Sequence, residues 1–143
     1  MGFHTHGVLF RDVFGTERMR AIFDEPAFVS TFLEVEAALA RAEAAVGVVP
    51  EWAAEEITAR ASREYLDADR VAANVEELGL FSMSIVEAWK EELGEAGEYV
   101  HWGASTQDVS DTVVVLQLRE ALSVMGERLV AIRDRLADLA ATH

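Results

Sequence analysis

Cysteine is absent from this sequence of 143 residues, proline occurs only at Pro26 and Pro50, and Lys90 is the only lysine. Without cysteine the chain forms neither disulfides nor thiolate metal sites, and a reducing interior is the natural compartment. No window approaches the run of about 20 apolar residues that spans a bilayer, and the N-terminus lacks a basic segment followed by an apolar one. We therefore expect a cytoplasmic protein with no membrane partner.

Positive charge is also scarce, because 12 basic residues stand against 26 acidic ones, for a formal net charge of −14. Binding to nucleic acid or to an anionic membrane depends on neutralising phosphates with Lys and Arg, so this charge argues against both. Two explanations of the acidity stay open. One is a basic partner, and the other is a solvated surface of the kind that suits a high-salt cytoplasm.

Strand-like alternation between hairpin turns is missing, whereas Ala, Leu, Glu and Arg are abundant, so the expected fold class is all-α. Apolar residues three and four apart predict a helix from Pro26 to Gly47. Its expected buried stripe consists of Phe28, Phe32, Val35, Leu39, Ala42 and Val46. Shorter helices are predicted from Glu51 to Arg63, from Asp67 as N-cap to Leu78, and from Phe81 to Leu93.

A much longer helix is predicted from Val113 onward, with about 28 residues and a length of roughly 42 Å. Its apolar residues follow a heptad pattern without a break. These heptad residues are Val115, Leu118, Leu122, Met125, Leu129, Ile132, Leu136 and Leu139. The sequence predicts no second helix of comparable length to cover them, so we expect partners from other subunits or from sequence outside this chain.

The segment from Glu98 to Thr112 carries the residues best suited to chemistry. Gly103 permits backbone conformations that are closed to other residues. Ser105, Thr106 and Gln107 place hydroxyl and amide donors at or before a helix start, where unpaired N–H groups favour anions such as a carboxylate. Helix capping is the alternative role for Ser105 and Thr106, and the pattern leaves both roles open.

Acidic and histidine residues near this loop are equally ambiguous. Asp108 and Asp111 could cap a helix N-terminus and offset its dipole. His101 could donate a proton or bind an anion, yet a histidine beside an aromatic such as Trp102 is often simply packed and hydrogen-bonded. His4 and His6 have no third ligand nearby, so we expect no metal site.

Two segments of the sequence resemble the fumarase and aspartase superfamily, in the branch that contains adenylosuccinate lyase and 3-carboxy-cis,cis-muconate cycloisomerase. The family's first signature region is similar to VHWGASTQDVSDT at residues 100–112, followed by LQLR at 116–119. Its first long helix and the exit from that helix are similar to FLEVEAALA at 32–40 and GVVP at 47–50. Both matches occur in the expected order along the chain.

The resemblance implies a lyase or cycloisomerase that acts on a fumarate-type or muconate-type carboxylate by elimination or its reverse, without a cofactor. It makes His101 a catalytic residue that lines the site. It assigns substrate binding to Gly103, Ser105, Thr106, Gln107 and Asp108. It also implies an N-terminal helical domain at residues 1–100, then the signature loop and the first helix of a central bundle at 101–143. In the family that bundle is built from four subunits, so a homo-oligomer is expected.

Three departures from the family pattern matter. Ser105 precedes Thr106 where the family usually has Thr then Ser, although both hydroxyls remain. Residues 79–84 lack the histidine that many adenylosuccinate lyases carry there, which favours the cycloisomerase-like branch. The family's Thr-His pair and its flexible loop with the catalytic serine have no counterpart in the sequence, so we expect these 143 residues alone to be inactive.

Two other classes of function stay open at this point. A non-catalytic acidic module would oligomerise through the heptad residues and would bind no dicarboxylate. An autonomous helical binding protein would instead be a monomer.

Overall fold

The computed structural model describes residues 15–143, and every regular element in that range is helical. The all-α fold expected from the sequence is confirmed. The α-helices are α1 (Glu17–Ile22), α2 (Glu25–Ala45), α3 (Glu51–Ala59), α4 (Ala68–Leu78), α5 (Phe81–Leu93) and α6 (Thr106–Thr142), with 3-10 helices at Arg63–Tyr65 and Gly94–Tyr99. His4 and His6 lie outside the described residues.

Contacts between residues divide the described chain into two compact units. One unit is formed by residues 25–114 and the other by residues 15–24 together with 115–143. Helix α6 begins in the first unit and continues into the second. The organisation into a domain at 1–100 and a bundle segment at 101–143 follows the family's pattern and stays a prediction.

The core of the unit 25–114 is built on a face of α2 that differs from the expected one. Phe32, Leu33, Ala37 and Ala40 are buried, whereas the predicted Val46 is 75% exposed. The predicted stripe was therefore wrong toward its C-terminal end. Small alanines let α3 approach α2 closely, and α3 contributes its own buried alanines, Ala53 and Ala54. Trp89 and Ile85 of α5 are also fully buried in this core.

Most helix boundaries match the expectation, and α3 shows why one does not. Asp67 caps α4 as predicted, because its Oδ1 accepts hydrogen bonds from the backbone N–H of Asp69 and Arg70 at 2.9 and 3.1 Å. Helix α3 was expected to reach Arg63 but ends at Ala59. The Arg60 carbonyl accepts from the Ser62 N–H at 2.8 Å and from the indole Nε1 of Trp89 at 3.2 Å, so it is satisfied without a further helical turn.

The second unit contains a helix that the sequence analysis did not predict. Helix α1 is capped by Thr16, whose hydroxyl accepts from the Met19 N–H at 3.2 Å. Ile22 packs on Ala121 and Val124 of α6, and Gln117 Nε2 donates to the Ile22 carbonyl at 2.6 Å. With only six residues, α1 is too short to show an apolar period, which is why periodicity missed it.

Helix α6 is longer than expected, with 37 residues from Thr106 and a length of about 56 Å. The helix begins seven residues before Val113. Residues 106–112 contain only one apolar residue, Val109, so apolar spacing did not predict that they are helical. All eight heptad residues are at least 41% exposed in the described chain. Among the described residues, no helix is apolar over a stretch long enough to cross a bilayer.

Gly97 sets the close packing of the 3-10 helix Gly94–Tyr99 against α5. A Cβ at this position would lie 2.3 Å from the Lys90 carbonyl oxygen and 2.8 Å from the Lys90 Cα. Both atoms belong to the backbone, so they cannot move without shifting α5. Only glycine therefore fits at position 97. His101 follows four residues later in the chain.

We expect Gly97→Ala to destabilise the chain by about 1–3 kcal/mol, the usual cost of overpacking. Urea denaturation followed by circular dichroism measures this change. Gly126→Ala is the control, because Gly126 lies within α6 and a Cβ there meets nothing within 4 Å. The control should raise stability by roughly 0.5–1 kcal/mol through helix propensity. Equal effects of the two substitutions would contradict the packing role.

Candidate functional site

The loop between the 3-10 helix Gly94–Tyr99 and α6 contains two residues in the left-handed region. Gly103 has φ = 67°, so the prediction that it needs unusual backbone freedom is confirmed. His101 has φ = 61° and is the only non-glycine residue with positive φ in the described chain. That conformation costs a non-glycine residue roughly 1–2 kcal/mol, so other contacts must hold it.

A buried contact with Glu36 holds His101 in place. The Nδ1 atom of His101 lies 2.6 Å from Oε1 of Glu36, and the two side chains are 8% and 0% exposed. Glu36 lies on the buried face of α2, and 65 positions in sequence separate the two residues. This contact therefore ties the loop to the centre of the unit 25–114.

Burial raises the pKa of Glu36, and the hydrogen bond and charge of His101 partly offset this effect. The charge of Lys90 acts in the same direction as His101. The other carboxylate oxygen of Glu36, Oε2, is buried and has no hydrogen-bond partner. Two turns further along α2, Glu43 also has a buried Oε2 without a hydrogen-bond partner. The pKa of Glu43 is raised mainly by burial and further by the charge of Glu36.

Ser105 and Asp108 form a reciprocal cap at the start of α6. The Ser105 hydroxyl donates to Asp108 Oδ2 at 2.7 Å and accepts from the Asp108 N–H at 3.2 Å. Asp108 Oδ2 also accepts from the Ser105 N–H at 3.2 Å. This is the capping-box arrangement, with an aspartate in the third helical position. The hydrogen bonds from Ser105 lower the pKa of Asp108.

The remaining polar residues of the loop differ in how far they are engaged. Gln107 Nε2 donates to Asp111 Oδ1 at 2.6 Å, so Asp111 supports the second turn and does not cap the helix. The capping interpretation was therefore right for Ser105 and wrong for Asp111. The Thr106 hydroxyl is half-buried and has no hydrogen-bond partner among residues 15–143. Within the described part of the chain, this hydroxyl is therefore available as a donor at the helix start.

Taken together, the predicted site residues form one short stretch of loop and helix start. His101 is buried and oriented, Gly103 turns the chain, and Ser105 with Asp108 fixes the first turn of α6. Such a stretch can offer an imidazole, a hydroxyl and helix N–H groups to an anion. In the part of the chain that the structure describes, no group of three acidic or histidine side chains is placed to hold a metal ion.

The site thus combines an oriented histidine with the start of a helix in an all-helical chain, an arrangement suited to binding an anion. Comparisons with known proteins show which protein family carries it. A family model described as lyase matches residues 12–143. The chain belongs to this lyase family. The family lies within the fumarase and aspartase superfamily, which the signature residues of the sequence already resembled.

Similar proteins include adenylosuccinate lyase from Pyrococcus horikoshii, 40% identical over 91% of this chain and 29% of that protein. The 3-carboxy-cis,cis-muconate cycloisomerase of Pseudomonas aeruginosa is 39% identical over 94% of this chain and 30% of that protein. The solved 3-carboxy-cis,cis-muconate lactonizing enzyme from Pseudomonas putida superposes with a TM-score of 0.88. It is 37% identical, over 96% of this chain and 32% of its own. The chain thus spans less than a third of each relative's length.

Glu36 is the residue at this site to which the sequence analysis gave no role. The signal was present, because Glu36 interrupts a face that otherwise consists of Phe32, Leu33, Ala37 and Ala40. A carboxylate on a buried face needs a partner. Since the predicted stripe of α2 was rotated toward Val35 and Leu39, Glu36 did not stand out as a core residue.

We expect Asp108→Asn to unfold at a lower urea concentration than the parent chain at neutral pH. The fold lowers the pKa of Asp108 below its ordinary 3.8, so the ionised form adds stability above that pH. This contribution is lost as the pH falls through the lower folded-state pKa, and the difference between the two chains should narrow below pH 3.8. In a Ser105→Ala background the effect should shrink, because the main donor is gone. An equal effect in both backgrounds would argue against the cap.

Proposed function

We propose that this chain is part of a lyase or cycloisomerase that acts on a carboxylate-bearing substrate of the fumarate or muconate type. Its contribution is a substrate-binding segment at residues 101–108. The observation that supports this most is the oriented His101 beside the start of α6, in a chain that belongs to the lyase family. The reaction is an elimination or the reverse addition, in the cytoplasm.

In the proposed reaction, the substrate carboxylate is bound at the start of α6. The Thr106 hydroxyl and the first N–H groups of the helix donate to it, since helix N-termini favour anions. The side chains of Ser105 and Gln107 now donate to Asp108 and Asp111, so each would have to exchange a carboxylate of the chain for one of the substrate.

His101 serves as the acid or as the cationic partner of the developing negative charge in this proposal. Proton abstraction is a separate task, and we assign it to segments of the family that have no counterpart in these 143 residues. We therefore propose that this chain binds substrate but does not turn it over alone. The absence of a histidine at residues 79–84 favours a muconate-type substrate over adenylosuccinate.

Titration with fumarate tests the binding proposal. We expect saturable shifts of the backbone amide signals of residues 101–108 in NMR spectra. Thr106→Val should weaken the affinity roughly tenfold or more, because a hydrogen bond to a charged group is worth about 1.5–3 kcal/mol. Thr142→Val makes the same change at the other end of α6 and should leave the affinity unchanged.

No saturable shift at millimolar fumarate would contradict the binding proposal and would favour the non-catalytic module. Conversion of fumarate-type or muconate-type substrates by the isolated chain would contradict the assignment of the base to other segments.

The exposed heptad residues of α6 support a second part of the proposal, which is assembly into a homo-oligomer. Leu122 and Leu129 are each 64% exposed, and Leu136 is 59% exposed. A continuous apolar row of this length on one helix is typical of a helix–helix interface. We propose the four-subunit bundle of the family as the assembly, with this row as its interface.

We expect Leu129→Asp to dissociate the oligomer, because it places a charge in the apolar interface. Light scattering coupled to size-exclusion chromatography measures the mass. Ala131→Asp is the matched control, since Ala131 is exposed on the same helix but lies outside the heptad row. An unchanged mass for Leu129→Asp, or an equal loss for both variants, would contradict the proposed interface.

A further inference from the structure

The contact between Glu36 and His101 fixes which nitrogen of the imidazole ring is engaged. Nδ1 lies 2.6 Å from Glu36 Oε1, a distance typical of a charge-assisted hydrogen bond. No hydrogen-bond partner of Nε2 is found among residues 15–143. A ring held in this way donates through Nδ1–H to the carboxylate and keeps Nε2 for a ligand.

We propose that Glu36 is a positioning residue, which holds the proton of His101 on Nδ1 and so leaves Nε2 as the nitrogen that meets the substrate. This inference rests on the proposed function, since it assigns a role within the same substrate-binding segment. Carboxylates that orient a histidine through its second nitrogen are a common arrangement at functional sites.

The energetics of the pair support orientation over stabilisation as its role. Burying a carboxylate is costly, and a buried ion pair often stabilises a fold no better than apolar residues of similar volume. Here the cost is larger, because Oε2 of Glu36 is buried without a partner. His101 also occupies the unfavourable left-handed region. The unpaired oxygen of Glu36 and the strained backbone of His101 are both at the site where the imidazole ring is held. Such costs are expected if the role of the pair is to orient the ring.

The other charged groups near the pair do not contact Nδ1 of His101, so Glu36 is the residue that holds this nitrogen. Lys90 of α5 acts on Glu36 only through its charge, and its ammonium group binds Glu87 at 3.2 Å. Glu43 raises the local negative charge without contacting His101. The charge of His101 helps to lower the pKa of Asp108, but the Asp108 carboxylate is hydrogen-bonded to Ser105.

The proton position can be measured directly on this chain. In long-range ¹H–¹⁵N spectra at alkaline pH, a protonated and an unprotonated ring nitrogen resonate in separate ranges. The His101 signals are identified by their loss in His101→Asn, because asparagine tolerates the left-handed conformation. We expect the parent chain to carry the proton on Nδ1. In Glu36→Gln the ring should shift toward the Nε2–H form, since the neutral amide can itself donate to Nδ1.

Fumarate affinity provides the second measurement. Glu36→Gln should weaken binding roughly 10- to 100-fold, the range seen when a partner that orients a metal-bound histidine is removed. Glu43→Gln is the matched control, because it removes a carboxylate with a buried, unpaired Oε2 from the same helix without touching His101. The control should leave both the proton position and the affinity unchanged.

A proton on Nε2 in the parent chain would overturn the proposal, whether or not the variants fold. An unchanged proton position and affinity in folded Glu36→Gln would overturn it as well. Failure of the parent chain to bind fumarate would count against the proposed function alone, since the proton position still decides the role of Glu36.

Discussion

The buried contact between Glu36 and His101 is the constraint on which the candidate site depends. It joins helix α2 to the loop that leads into α6, whose Val100 and Ala104 also pack on the core of the unit 25–114. It also explains why His101 keeps a left-handed backbone that a non-glycine residue rarely adopts. Once the ring is fixed, Gly103 turns the chain and the Ser105–Asp108 cap begins α6 two residues later.

The sequence predicted the helical elements better than it predicted their faces and ends. Gly47, Asp67 and Gly79 mark helix ends through local backbone and capping chemistry, which a sequence displays directly. At the end of α3 the Arg60 carbonyl accepts from the nearby Ser62 N–H and also from Trp89, which is 29 positions away. The partner of His101 is likewise 65 positions away. Contacts of this kind come from tertiary packing, and local patterns do not contain them.

The candidate site could be predicted as a list of residues but not as an arrangement. Gly103, Ser105 and Asp108 were recognised from their types and spacing, and their conformations agree with those types. What the pattern left open was whether the hydroxyls cap a helix or bind a ligand. The structure shows that Ser105 caps, while Thr106 has no partner in the described chain. The three-dimensional contacts therefore assign capping to Ser105, while ligand binding by Thr106 stays a proposal.

The proposed binding of a carboxylate raises a physical question, because a net charge of −14 opposes the approach of an anion. Charge at a distance is screened over about 8 Å at physiological salt, so local donors decide the affinity. At the start of α6 those donors are helix N–H groups, the Thr106 hydroxyl and the imidazole of His101. Asp108 and Asp111 are the nearest competitors, and both already accept hydrogen bonds within the loop. A ligand that displaces one of them exchanges one carboxylate for another. Binding would then depend on the second carboxylate of the substrate and on His101, and this favours dicarboxylates over simple acids.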